Sequence, residues 1–466
     1  MGTITSLLDI ASQALTADQE ALNVTSNNVA NQNTAGYTRE VVNFQAADEV
    51  TLSGGSVGDG VTATATSQRS RVLDQQVQQQ TQVQAQSGAL ESALQQIQNI
   101  FGLSSTASSA SSTDVGTAIN SFFSALSSLT SNPSDTSTRQ NVLAAANTLA
   151  SAFNSASSQL TQVSSNLNQQ VSGDVSQVNA LTTTIASLNA QITSLSPNAD
   201  AGTLEDQRQL AITQLSQLVG LDQISNQQNG ITLTTTGGAV LVSGAQSFAL
   251  GTTQVAGATH ILAGGQDITS TTSGGDLGGT LQARDQTLPG YESSLDSLAS
   301  DIGTQVNQQN ALGLDGNGNA GGALFSFLPS LGGGAAAQIQ VATTDPNAVA
   351  AAGTGEGSAG NTNALALANL GTAAIASGQT ASGFLASFLD QIGGDTAAAT
   401  SDNTAQQATL TQLTTQQDSL SGVSLDEEAS NLTQYQRAYQ AAAQVFNIGN
   451  SVFASALNLG VETTVT

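Results

Sequence analysis

Three stretches of this chain carry residue types at spacings that chemistry could use. Gly54-Gly55-Ser56-Val57-Gly58 has the spacing of a nucleophile elbow, where a strained turn presents a serine hydroxyl to an electrophile. An elbow needs a strand before it and a helix after it. Here a turn and a second strand follow, so the stretch reads as a surface hairpin loop. The base such a serine would need could only be His260, the sole histidine, which falls in a short alternating run and reads as a plain strand or turn residue. Gly316 to Gly321 (GNGNAG) has the glycine spacing that cradles a pyrophosphate, yet it follows a helical pattern, and no helix with an acidic residue at the required offset opens behind it. Asp315, Asn317 and Asn319 begin like a calcium loop, but Ala320 replaces the required glycine and Ser326 the bidentate glutamate.

General acid–base catalysis, covalent catalysis and metal binding each need side chains that this chain barely contains. It has no Cys, and no pair of carboxylates is set in an apolar frame. No enzyme is therefore expected, and no catalytic, cofactor-binding or metal site. Composition narrows the rest. Against 33 acidic residues stand seven Arg and no Lys, a formal charge of −26. Nucleic acid and anionic membrane surfaces are excluded as partners, since phosphate binding needs clustered cations. Charged residues make up only 9% of the chain, so Gln, Asn, Ser and Thr supply a polar surface with little charge to resist self-association. No basic residue precedes Arg39 and no apolar run is long enough to span a bilayer, so neither a secretory signal nor membrane insertion is expected.

What remains to be positioned is a surface for assembly, and its elements lie at the two ends. Leu425, Leu432, Tyr439, Phe446 and Phe453 recur every seven residues, with Tyr435, Ala442 and Ala456 on the neighbouring row. Gly422 breaks the chain before this helix, Ser424 can cap it, and Glu427 stands at the capping-box position. At the other end Leu8, Leu15, Leu22 and Val29 have the same spacing, with Ile4 and Ala11 filling in. That stripe closes in an Asn-rich run (Asn28, Asn31) and a turn at Gly36 and Tyr37. The two stripes are expected to pair as a coiled coil and to present an interface to other subunits. Neither buries enough apolar surface alone to offset the cost of ordering it, so both are expected to order fully only on assembly.

Between the ends the expected fold is mainly α, elongated and multi-domain, a long-helix bundle with a small β-rich insertion. The partition is 1–36 with 422–466 for the paired ends, 37–71 extended, 72–219 with 281–421 for the bundle, and 220–280 for the insertion, with mixed structure at 313–360. The longest apolar stripe runs from Leu149 to Leu195, before Pro197. In the next helix Leu210, Leu215, Leu218 and Val219 read as core, and Glu205, Asp206 and Arg208 as solvated.

These residues also carry a resemblance. Ala14–Glu40 (ALTADQEALNVTSNNVANQNTAGYTRE) and Ser424–Phe446 (SLDEEASNLTQYQRAYQAAAQVF) resemble the terminal signatures of the flagellar rod, hook and hook-associated protein family. Leu204–Leu221, Asn229–Gly244 and Gly274–Phe325 resemble the middle of its hook–filament junction members. The resemblance implies an extracellular structural subunit. It would form a ring with copies of itself, with the hook subunit below and a second hook-associated protein above. Export would run unfolded through the flagellar type III apparatus, with a cytosolic chaperone holding the C-terminal region. Ala35 stands where many relatives have Pro, and Asn447, Asn450 and Ser451 occupy a stretch that is often charged. Two other readings stay open: another axial protein such as a hook or rod subunit, and a secreted adhesin or hydrolase for which the GGSVG loop and His260 are the support.

Overall fold

The computed structural model describes residues 2–52, 55–103, 114–195, 201–225, 230–329 and 333–462. The Ser-rich link at 104–113 and Pro197 lie outside them. The first helix, α1 (Gly2–Asn31), leads into a β-arm. In the arm β1 (Glu40–Ala46) pairs antiparallel with β4 (Val61–Ser67), and β2 (Glu49–Leu52) with β3 (Gly55–Gly58). Three helices follow: α2 (Arg71–Ile100), α3 (Val115–Leu129) and α4 (Thr136–Leu195). Asp135 caps α4, its carboxylate accepting from the Thr138 N–H at 3.0 Å and the Thr138 hydroxyl at 2.7 Å.

At 60 residues α4 is about 90 Å long and organises the molecule. Its first half (Val142, Leu149, Phe153, Leu160) lies in a core with Ile97 of α2, Phe122 of α3 and residues further on in the chain. Its second half (Val171, Val178, Ile185) lies in another, with Ile212 and Leu215 of α5 (Thr203–Leu218). One unbroken apolar stripe thus serves two cores in succession.

The insertion holds a four-stranded antiparallel sheet in chain order, β5 (Leu221–Ser225), β6 (Ile231–Thr235), β7 (Val240–Ser243) and β8 (Gln246–Ser247). A three-stranded sheet places β10 (Ala258–Ala263) between β9 (Leu250–Val255) and β11 (Gln266–Asp267). Leu233, Leu241, Val242 and Ile261 share the second core with α4 and α5, so the insertion is packed on helices. Helix resumes at α6 (Gly275–Gln282), earlier than the expected Leu281. Gly278 and Gly279 lie inside α6, and a Cβ at Gly279 would stand 2.2 Å from the Gln86 carbonyl of α2. Only glycine lets the two helices approach so closely.

A π turn (Ala283–Thr287) joins α6 to α7 (Leu288–Ala311). Short elements follow: β12 (Phe325–Phe327) paired with β13 (Ile339–Val341), α8 (Ala335–Gln338) between them, and α9 (Thr362–Asn369). The last two helices are α10 (Ala381–Ser421), lying along α2, and α11 (Leu425–Glu462), lying along α1.

Two expectations about α5 are corrected. Glu205, Asp206 and Arg208 are buried, because their partners come from other elements, where the periodicity of one helix cannot see them. Arg69 binds both carboxylates, and Arg208 donates to Asn189 at 3.0 Å. Leu210 is only half-buried and packs beneath Gly36 instead of in the bundle core.

Candidate assembly interface

The paired ends run antiparallel. Near the far end of α11, Gly449 lies against α1, where an added Cβ would come within 3.0 Å of both Leu7 and Leu8. Nearer its start, Tyr435 packs with Ala21, Val24 and Val42 and meets the Phe44 ring at 5.9 Å. The row of Tyr435, Ala442, Gly449 and Ala456 therefore faces α1, with Leu432, Phe446 and Phe453 half-buried beside it.

α1 divides its surface between two neighbours. Leu8, Leu15 and Leu22 are half-buried, as is Ile4, while the deepest positions are Ala11, Ala17, Ala21, Val24, Thr25 and Asn28. The small residues Ala17 and Ala21 let the helix and the β1–β4 arm come close. Val29, Leu425 and Tyr439, expected within the seam, are 39%, 48% and 37% exposed. They correct the expected pairing: two helices crossing one arm cannot bury every residue of both stripes.

Below the pair the turn residues form a joint. Asn31 accepts from the Thr34 hydroxyl at 3.2 Å, and Gly36, at φ +77°, reverses the chain. Asn28, buried at the end of α1, makes three bonds. Its amide donates to the Glu40 carbonyl at 2.8 Å, and its oxygen accepts from the Glu40 N–H at 3.0 Å and the Tyr37 hydroxyl at 2.8 Å. The helix end is thereby stitched to the first residue of β1. Burial, with Glu40, Asp206 and Glu428 around it, pushes the Tyr37 hydroxyl well above its ordinary pKa, so it stays a donor.

Arg39 and Arg69 flank the arm, one just before β1 and one just after β4. Arg39 holds Glu427 and Glu428 of α11 at 2.7 Å each, and its N–H donates to the Ser421 carbonyl of α10 at 2.9 Å. Glu427 is thus engaged by Arg39, a partner its capping-box position did not foretell. Arg69 holds Glu205 and Asp206 of α5, and Asp206 also accepts from the Thr38 N–H at 2.9 Å and hydroxyl at 2.7 Å. Two cations of a chain with few thus lace the arm, α5, α10 and α11 together, and Asn28 ties α1 to the arm. Sequence reasoning missed this joint. The scarcity of Arg was the available signal, since a cation kept in so acidic a chain needs a reason.

The candidate chemistry falls elsewhere. Gly55 to Gly58 form β3, paired with β2, so no helix follows Ser56; Gly54 lies outside the described residues. His260 Nδ1 contacts Asp267 Oδ2 at 2.6 Å across β10 and β11, while hydrogen bonds from Thr269 and then His260 hold Asp267 down at about 2. Among the described residues no hydroxyl hydrogen-bonds to that imidazole. In the Gly316 loop, Asp315 Oδ1 already accepts the N–H groups of Asn317 and Asn319, both at 2.8 Å. Among the described residues no three His, Cys, Asp or Glu converge as a metal site requires, and no helix is long and apolar enough to cross a membrane.

A body whose two ends are laced into one pair, with apolar side chains left over on its outside, has the build of a chain that assembles with others. Comparison with known proteins makes the assignment specific. Residues 94–325 match the family described as "Flagellar hook-associated protein FlgK helical domain". Residues 8–38 match "Flagella basal body rod protein", and residues 416–459 match "Flagellar basal body rod FlgEFG protein C-terminal". The chain is 30% identical to flagellar hook-associated protein 1 of Bacillus subtilis (strain 168), with 97% of each chain covered. It is 27% identical to that of Escherichia coli (strain K12), with 98% of this chain and 100% of the relative covered. Its fold is similar to the solved flagellar hook junction protein FlgK from Burkholderia pseudomallei, with a TM-score of 0.67 at 22% identity over 74% of this chain and 100% of that one. The chain belongs to the flagellar hook-associated protein 1 family.

Proposed function

We propose that this chain is a structural adaptor of the bacterial flagellum, a subunit of the ring between hook and filament on which the filament is built, with no reaction of its own. The observation that carries this is the α1–α11 pair. It closes one seam within the molecule and leaves Leu7, Val29, Tyr439, Val445, Ile448 and Val452 exposed along its outside, where only further helices could cover them. The subunit interface would use Leu8, Ala11, Leu15, Leu22, Val29, Leu425, Leu432, Tyr435, Tyr439, Phe446 and Phe453, with Asn28, Asn31, Gly36 and Tyr37 setting the angle between this pair and the body.

Its partners on this reading are copies of itself, the hook subunit below and the second hook-associated protein above. It reaches the outside of the cell through the flagellar type III export apparatus without a cleaved signal, a cytosolic chaperone holding the C-terminal region on the way. A shortage of fully buried apolar residues in α11 supports a helix that packs late.

The test is electron microscopy of cells lacking the protein. The expected picture is hooks without filaments and flagellin shed into the medium. Complementation with a chain carrying both Leu432→Asp and Phe446→Asp should leave the helical body folded and the hooks still bare. Normal filaments in either strain overturn the reading, and long homopolymers of the purified chain favour a hook subunit.

A further inference from the structure

Six of the seven arginines are engaged within the chain. Arg39 and Arg69 hold the joint. Arg139 donates to the Pro133 and Val349 carbonyls, Arg208 to Asn189, and Arg284 to Asp285 and the Thr259 carbonyl. Arg71 is also engaged, in the field of Asp74. Arg437, exposed on α11, makes no hydrogen bond or ion pair among the described residues. In a chain with a formal charge of −26 a cation has many possible partners, and this one reaches none of them.

Its place on the helix says where a partner would come from. At 3.6 residues per turn, Arg437, Ala441, Val445, Ile448 and Val452 fall on one broad stripe; Arg437, Ala441 and Ile448 point away from the row of Tyr435 and Gly449 that faces α1, and Val445 and Val452 flank that row on the same side. Val445, Ile448 and Val452 on that stripe are 45%, 64% and 49% exposed. This stripe of α11 is thus apolar from Ala441 to Val452, with a single positive charge at its head.

α1 has the opposite character. It holds Asp9, Asp18 and Glu20 and no basic residue. Asp9 and Glu20 are exposed on the side turned away from α11. The antiparallel pairing also matches their heights. Gly449 lies at Leu7 and Leu8, and Tyr435 packs with Ala21. Arg437, just past Tyr435, therefore stands level with Glu20, the neighbour of Ala21, but on the other flank of the pair. Copies standing side by side would bring the two together at each contact, as a head-to-tail interface requires when it closes into a ring.

We propose that the Arg437 face of α11 docks on α1 of a second copy of this chain, with Arg437 paired to Glu20 of that copy as the contact that sets the axial register between neighbours. This rests on the reading that copies assemble through their paired ends. It adds the side on which the neighbour stands and the residue pair that aligns it. The apolar residues supply area, and the one charge pair penalises every other register.

The full chain is tested in flagellated cells. Arg437→Glu should reduce the number of filaments per cell about tenfold, and Glu20→Arg alone should act in the same direction. Arg437→Glu with Glu20→Arg in one chain should restore filaments, because each contact regains an opposite pair. The chain contains no cysteine, so Arg437→Cys with Glu20→Cys places two unique thiols. A short bis-maleimide on isolated flagella should give covalent multimers of this chain from the double variant, and none beyond a dimer from either single variant. Unaffected filaments with Arg437→Glu, failure of the swap to restore them, or cross-links only to a protein of different mass overturn the pairing. In each case the unsubstituted chain found in flagella of the parent strain leaves the assembly reading standing, whereas its absence from them removes both.

Discussion

Arg39 and Glu428 meet at 2.7 Å although 389 residues separate them, and the glutamate side chain is only 2% exposed. The contact fixes where α11 starts relative to the turn that follows α1. Removing the arginine leaves a buried carboxylate without its cation. Arg39→Ala should weaken docking of α11 by about 3–5 kcal/mol, while Arg39→Ala combined with Glu428→Gln should cost less than the single change. Hydrogen exchange of the α11 amides, compared across the two variants, checks the order.

Asn28 should behave as a clamp whose bonds cannot be replaced singly. Asn28→Ala strips the partners of the Glu40 N–H, the Glu40 carbonyl and the Tyr37 hydroxyl. The expected loss is about 2–4 kcal/mol in anchoring the β-arm to α1. Asn28→Asp keeps the acceptor and loses the donor, so it should fall between. Limited proteolysis within residues 32–40 reads both.

Asp174, in the second half of α4, predicts a dependence on pH. Its Oδ2 has no hydrogen-bond partner among the described residues. Burial pushes the carboxyl from 3.8 up to about 7, with Asp276 beside it adding to the push. A raised folded-state pKa means that the folded chain holds the proton more tightly. The stabilisation is therefore complete below pH 3.8 and is lost as pH rises through about 7. Asp174→Asn removes the ionisation, so at about pH 8 the variant should be more stable than the parent by on the order of 3 kcal/mol, a gap that closes towards about pH 4. Urea unfolding at the two pH values measures it, and equal gaps would remove Asp174 as the cause.

The two ends should be the least protected helices of the free chain. Among the described residues of α11 only Glu428 and Gly449 are buried, whereas α4 buries a residue on nearly every turn. Amides of α11 should exchange faster than those of α4 in the monomer and slow on assembly. Gly449→Val should widen the difference, since a Cβ there meets Leu7 and Leu8 at 3.0 Å.

The sequence by itself determined the elements whose causes are local. The apolar stripes at both ends, the cap at Asp135, the break at Gly422 and the alternating runs of the insertion follow from period and backbone preference, which a chain carries without reference to its neighbours. It also carried, in residues 14–40 and 424–446, enough similarity to place the chain among the flagellar axial proteins. Tertiary structure decided which face of each stripe is covered and which charges are buried. Val29 and Tyr439 share their stripes with half-buried residues yet stay exposed, because an arm only two paired strands wide claims part of α1. Glu205 and Asp206 look like a solvated first turn and lie instead beneath Arg69. Burial of a charge depends on a partner brought from more than a hundred residues away, and no local pattern encodes that distance.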